Sequence, residues 1–330
     1  MKVVEQFDFG PVDQVVRCVE APDPGPPSDD EVVVEIEAFP INPADLLGLT
    51  GDYATKPPLP ATPGAEGVGR ITAVGSAVRG LAVGDQVIPL DRENWVQAKS
   101  LAAAKVIKVP DAIDADVLQL AMLKVNPATA LLMLTRYVEL KPGDFVIQNA
   151  ANSGVGTNLI RLAKQRGIGS INVVRRDSLI EPLKAHGADH VLIDGPDLAE
   201  RVRSAVGEAR VPLAIDAVAG TAVTRLADCL SEGGTVVNYG LLSGEPCQIR
   251  ADQTVFKGTT LTGFWLSKHL TTAPRAEIEA LYGELGGLIA DGALSVPVAA
   301  TYPIERITEA VAHAAQEGRD GKVLVTPGSG

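Results

Sequence analysis

Between residues 145 and 240 the chain alternates two textures. Apolar runs at 145–151, 170–174, 190–194, 212–218 and 234–240 are separated by stretches of helical spacing, with Val155, Leu159, Ile160 and Ala163 marking one face. Near-continuous apolar strands joined by amphipathic helices predict an α/β domain built on a doubly wound parallel sheet. Before residue 120 the pattern is different. Residues 32–38 alternate, and short β-rich pieces at 67–75, 84–90 and 104–109 are punctuated by Gly and by Pro57, Pro58, Pro60 and Pro63. Many short strands with turn signals predict a β-rich antiparallel domain. Stretches 114–137 and 276–290 read as helical, and a strand at 296–302, a helix at 304–316 and a closing strand at 322–326 complete the chain. The expected layout is a β-rich domain over 1–120 and 268–330, with the parallel-sheet domain over 121–267 inserted into it.

The first apolar run ends in Asn149-Ala-Ala-Asn-Ser-Gly-Val-Gly156, where a helix begins. Ala151, Ser153 and Gly156 stand where a GxGxxG fingerprint places three glycines. Small residues there let backbone approach a pyrophosphate at a helix N-terminus. Asn152, Ser153, Gly154, Val155 and Gly156 are therefore candidate cofactor contacts in a Rossmann dinucleotide-binding domain. The next run ends in Arg175-Arg176, where an NAD binder usually carries an acidic residue. Two cations favour the 2′-phosphate of NADPH. Arg175 is the stronger candidate; Arg176 reads equally as a solvated charge. Tyr239 and Gly240 follow a sheet strand at the carboxyl edge where dinucleotides bind. Gly240 would permit close approach, while Tyr239 either lines the site or packs.

Composition narrows the partners. A net charge of −12 and a pI near 4.9 argue against nucleic acid and anionic membrane surfaces. No run of 18 or more apolar residues suggests a membrane span. Met1-Lys-Val-Val-Glu-Gln lacks the apolar core of a signal peptide, and the three cysteines form no CxxC. A cytoplasmic protein is the expectation.

Ile41-Asn-Pro-Ala-Asp45, Pro63-Gly-Ala-Glu-Gly-Val-Gly69, Val74-Gly75, Gly84-Asp-Gln-Val87 and Gly143-Asp-Phe-Val146 run in an order that resembles the medium-chain dehydrogenase/reductase superfamily. Asn126-Pro127, residues 146–156, Ile171-Asn-Val-Val-Arg175 and Gly263-Phe-Trp-Leu-Ser267 resemble, more narrowly, its trans-2-enoyl-thioester reductase branch. The resemblance implies a GroES-like catalytic domain around the Rossmann domain, a homodimer, and Asn126, Thr129, Phe264 and Trp265 as further cofactor contacts, Trp265 also lining the substrate pocket. Trp265 reads equally as packing on an edge strand. Zinc members of the superfamily bind their metal through Cys and His. At the corresponding positions this chain has Asn42, Ala65 and, near the third, Val125. No zinc is expected.

Without a metal, a nicotinamide hydride suits an alkene conjugated to a carbonyl: a 2-enoyl thioester, an enone or a quinone. The protein must position both reactants, stabilise an enolate and deliver a proton. The family's spacing makes Tyr53 the candidate, since a phenol with reference pKa of about 10 carries its proton at neutrality. Asn42 would hydrogen-bond the nicotinamide ribose or Tyr53; an Asn-Pro turn explains it equally well. The leading expectation is an NADPH-dependent 2-enoyl-thioester reductase. The alternatives are an NADPH quinone or enone oxidoreductase and, in another class, a non-catalytic NADPH-binding protein.

Overall fold

The computed structural model describes residues 1–316, 318–319 and 321–328. The chain divides into two compact units, Met1–Val125 with Ala273–Gly330, and Asn126–Thr272. In the first unit β1 (Lys2–Gln6) and β2 (Val16–Glu20) form an antiparallel pair. There follow β3 (Glu31–Pro40), β4 (Val68–Val74), β5 (Gln86–Pro89), β6 (Ala98–Ala102) and β7 (Val106–Lys108). The second unit carries β8 (Phe145–Gln148), β9 (Gly169–Val174), β10 (His190–Ile193), β11 (Leu213–Asp216), β12 (Thr235–Asn238) and β13 (Thr260–Gly263). The chain then returns to the first unit with β14 (Val298–Tyr302) and β15 (Lys322–Val325).

The first unit's seven-stranded sheet has the order β14-β15-β3-β4-β5-β7, with β6 also paired to β3. It is antiparallel apart from the β14–β15 pair. Alternation along β3 sends Val32, Val34 and Ile36 into a core that also holds Phe39, stacked on the fully buried Trp95 at 5.7 Å between ring centroids. Antiparallel pairing tolerates one wet face, so this strand shows the two-residue period.

The second unit's six strands are all parallel, in the order β10-β9-β8-β11-β12-β13. Helices cover them, which is why Ile147, Ile171, Val173, Ala214 and Val236 are buried on strands with little alternation. The order reverses direction between β8 and β11. Open α/β sheets bind ligands outside the carboxyl ends of their strands at such a switch point. The expected architectures, a doubly wound parallel sheet and a β-rich unit, are the ones observed.

Three elements differ in detail from the sequence pattern. The helical stretch at 114–137 is two helices, Val117–Ala121 and Asn126–Arg136. Pro127 lacks an N–H and fits only the first turn of a helix, so a new helix starts beside it. The segment at 304–316 is a 3₁₀ turn, Ile304–Arg306, followed by the helix Ile307–Ala315. Strand β13 ends at Gly263, so Trp265 lies beyond the edge strand and just before the helix Leu266–Thr272. Among the described residues no helix is long and apolar enough to cross a membrane.

Candidate active site

In the second unit, the turn after β8 is shaped by a shortage of space. A side chain at Gly156 would place its Cβ 2.5 Å from the Ala151 carbonyl oxygen, so only glycine lets the helix Gly154–Gln165 start this close to the turn. Ser153 caps that helix, its hydroxyl accepting from the Gly156 amide at 3.1 Å. The Gly154 and Val155 amides belong to the first turn, where no intrahelical acceptor exists, and neither has a partner among the described residues. Two unengaged N–H groups at a helix N-terminus suit a pyrophosphate. Asn152 is exposed beside them.

A second polar layer, beneath this turn, is one that the sequence pattern did not single out. Asp216, fully buried at the end of β11, accepts from Asn238 Nδ2 at 2.6 Å, from the Ala219 amide at 2.9 Å, from the Val218 amide at 3.2 Å and from Asn149 Nδ2. Asn149 in turn accepts from the Ala217 amide at 2.8 Å. Ala150 and Ala219 flank the cluster with φ of 47° and 66°, a left-handed backbone that costs an alanine free energy and that these bonds hold in place. The available signal was that a polar residue closes the apolar run at each of three strand ends: Asn149 just after β8, Asp216 on β11 and Asn238 on β12.

Of the remaining cofactor candidates, Arg175, Arg176, Tyr239, Gly240, Phe264 and Trp265 follow the carboxyl ends of strands of this sheet, and Asn126 and Thr129 lie on a helix. Arg175 and Arg176 are exposed directly after β9. Tyr239 follows β12; burial pushes its phenol up to about 12, and a hydrogen bond with Ser153 opposes that shift. Gly240 is held too near the Ala217 carbonyl, 2.7 Å from a built Cβ, to be anything but glycine. Asn126 and Thr129 are buried on the first turns of one helix. Phe264 donates its amide to Asn238 at 2.9 Å, and Trp265 is 47% exposed.

In the first unit, Asn42 caps the helix Pro43–Thr50, with Asp45 closing a capping box onto the Asn42 amide at 2.9 Å. Tyr53 follows that helix's left-handed C-cap, Gly51, so about two helical turns separate the two backbones. The Tyr53 ring is half-buried with the Arg92 guanidinium 5.4 Å from its centroid.

Positions 42, 65 and 125 are wired together by protein charges. Asn42 donates from Nδ2 to Glu66 Oε1 and accepts from Lys322 Nζ, both at 2.6 Å. The Ala65 carbonyl accepts from Lys124 Nζ at 2.6 Å, and the Ala65 amide donates to Asp45 Oδ1 at 3.0 Å. The Val125 amide donates to Glu66 Oε2 at 2.7 Å. Glu66, Asp45, Lys124 and Lys322 are all buried. Burial pushes the Glu66 carboxyl up to about 7 and both lysines down to about 8, with the opposite charges across the cluster pulling each back. Two ammonium groups thus face two carboxylates where the sequence resemblance would place metal ligands. Among the described residues no group of three His, Cys, Asp or Glu side chains could hold a metal ion.

Known families match segments of both units. The alcohol dehydrogenase GroES-like domain family matches residues 28–106, and the zinc-binding dehydrogenase family matches residues 154–282. Neither match is full length, and positions 42 and 65 fall in the first alone. The mitochondrial enoyl-acyl-carrier-protein reductase of Xenopus tropicalis is 36% identical over 298 residues, covering 86% of this chain and 84% of its own. The Etr1p structure with NADP and crotonyl-CoA superposes with a TM-score of 0.86 at 28% identity, over 98% of this chain and 99% of its own. Etr1p is also known in an Etr1p/Etr2p heterodimer, a mitochondrial 2-enoyl thioester reductase from Candida tropicalis. Escherichia coli quinone oxidoreductase complexed with NADPH gives a TM-score of 0.85 at 28% identity, over 99% of this chain and 100% of its own.

Proposed function

Since the chain belongs to the medium-chain dehydrogenase/reductase superfamily, as an NAD(P)-dependent oxidoreductase of the enoyl-reductase or quinone-reductase type, we propose that it uses NADPH to reduce the activated C=C bond of a 2-enoyl thioester. When bound, the cofactor supplies a hydride to the β-carbon of the acceptor. The Gly154 and Val155 amides hold the pyrophosphate, with Asn152, Ser153 and Gly156 shaping the turn. Arg175, flanked by Arg176, pairs with the 2′-phosphate. Asn126, Thr129, Tyr239, Gly240 and Phe264 line the rest of the dinucleotide, and Trp265 borders both cofactor and acceptor.

As the C–H bond forms at the β-carbon, the alkene π electrons move toward the thioester oxygen and an enolate develops. Tyr53 gives its phenolic proton to the α-carbon and is reprotonated from water, so one alkene, one hydride and one proton yield the saturated thioester. Asn42 contributes a hydrogen bond that orients the reactants. No zinc takes part: positions 42, 65 and 125 offer a carboxamide already bonded to an ammonium, a methyl group and an isopropyl group. That arrangement carries the proposal, because without a Lewis acid an alkene conjugated to a carbonyl takes up the hydride's charge as an enolate, with a protein acid to protonate it. The thioester is favoured by the Xenopus and Etr1p relatives. The quinone oxidoreductase fold match, equally close, supports a quinone as the second acceptor. The homodimer belongs to the same proposal, with β13 as the uncovered edge of the parallel sheet that would pair with a second copy.

The test is NADPH oxidation with crotonyl-CoA, a longer 2-enoyl-CoA and a quinone in parallel. Both thioesters should be turned over, the quinone more slowly. Turnover of quinone without thioester would transfer the assignment to the second acceptor.

A further inference from the structure

We infer that Lys322 and Glu66 are positioning residues that fix the orientation of the Asn42 carboxamide, doing with protein charges what a metal would otherwise do for the side chain at that position. This rests on the role proposed for Asn42. A carboxamide has two chemically different ends on one planar group, and a half-turn exchanges them. Here the exchange is blocked from both sides. Lys322 can only donate and sits 2.6 Å from Oδ1; the Glu66 carboxylate can only accept and sits 2.6 Å from Nδ2. Both bonds are charge-assisted and buried, the setting in which a hydrogen bond is strongest and a mismatch most expensive.

The placement of Lys322 is built into the sheet. Strand β15 pairs antiparallel with the end of β3, Leu324 opposite Pro40 and Val325 opposite Phe39. The ladder continues with the Ile41 amide donating to the Val323 carbonyl at 3.0 Å, which brings Lys322 opposite Asn42 although 280 positions separate them. Glu66 is anchored independently through its second oxygen on the Val125 amide. Neither charged group is free to follow the carboxamide if it turns.

If Lys322 acts through Asn42, its removal should matter only while Asn42 is present. The experiment is a double-mutant cycle on kcat, KM and the NADPH dissociation constant for Asn42→Ala, Lys322→Met and both together. Lys322→Met should lower kcat about tenfold or more with NADPH affinity unchanged, and the double variant should match Asn42→Ala within about twofold. Multiplying effects, or a Lys322→Met kcat within twofold of the parent, would overturn the assignment. Should Lys322→Met fail to fold, Lys322→Arg replaces it in the cycle, with partial loss of rate expected in the parent and none in the Asn42→Ala background. If crotonyl-CoA is not reduced, the acceptor proposed above fails by itself and the cycle is run on the quinone. A readout independent of turnover is the pair of Asn42 side-chain amide resonances, which should shift in Lys322→Met; unmoved resonances would also overturn it.

Discussion

Two buried polar clusters, the Asp216 group in one unit and the Glu66 group in the other, are balanced in opposite ways. In the parallel-sheet unit the Asp216 carboxylate accepts, among the described residues, from neutral donors: two asparagine amides and two backbone N–H groups. In the β-rich unit Glu66 and Asp45 share their surroundings with two buried lysines. A carboxylate held by neutral dipoles has no counter-charge that can titrate away. A carboxylate held opposite ammonium groups does, because a buried lysine can escape its own cost by losing a proton. The first cluster should therefore behave as a fixed scaffold, and the second as one whose strength depends on pH.

The largest expected effect tests that contrast directly. Glu66→Leu leaves Lys124 and Lys322 buried without their main counter-charge and should cost on the order of 3–5 kcal/mol of stability near pH 7.5, where Glu66 is ionised and the lysines still carry their protons. In that variant the native state binds fewer protons than the unfolded chain between the depressed lysine values and the ordinary one. Its deficit relative to the parent should accordingly shrink as pH rises from 7 to 9. Asp216→Ala should cost on the order of 3 kcal/mol, from stranded donors and loosened turns at Ala150 and Ala219, by the same amount at both pH values. Urea unfolding at the two pH values measures both; a pH-independent Glu66→Leu would erase the distinction.

The next prediction moves from stability to turnover. Tyr53→Phe should reduce kcat by about 30–100-fold, on the scale of general acid catalysis, with the NADPH dissociation constant unchanged. Unaltered kcat in steady-state assays would remove Tyr53 from the proposed proton transfer. Arg175→Ala, in the other unit, should do the reverse. It should weaken NADPH binding about tenfold, leaving NADH binding and turnover at saturating cofactor nearly unchanged, as fluorescence titration would show. A variant that weakens both cofactors equally would mean that Arg175 does not read the 2′-phosphate.

The smallest effect is Glu66→Gln. Burial raises the Glu66 carboxyl to about 7, so the folded parent holds a proton that the unfolded chain gives up above the ordinary glutamate value. That contribution favours folding below about pH 4.5 and is lost as pH climbs through 7. The variant should consequently lose less thermal stability than the parent between pH 5 and 8. A parallel decline of the two melting temperatures would contradict it.

The two clusters also differ in how readable they were. Period and punctuation revealed the parallel sheet and its phosphate turn, because each strand and the helix after it are local in sequence. The Asp216 cluster was half-visible: polar residues closing the apolar runs of adjacent strands must meet once the order of β8, β11 and β12 is known. Asn42 was identified, but Lys124 and Lys322 were not. An isolated lysine in an apolar strand such as Lys322-Val-Leu-Val325 reads as a solvated edge charge until β15 is paired with β3. Trp265 shows the converse limit, since its apolar neighbours suggested a strand that stops at Gly263.

That same pairing limits how the sequence can drift. Inserting or deleting one residue within β15 would turn every later side chain to the opposite face and carry the ammonium away from position 42. Changes of length between Ala315 and Lys322 leave the ladder in step. Descendants of this chain should therefore vary in length ahead of the last strand and keep the four residues Lys322–Val325 free of gaps.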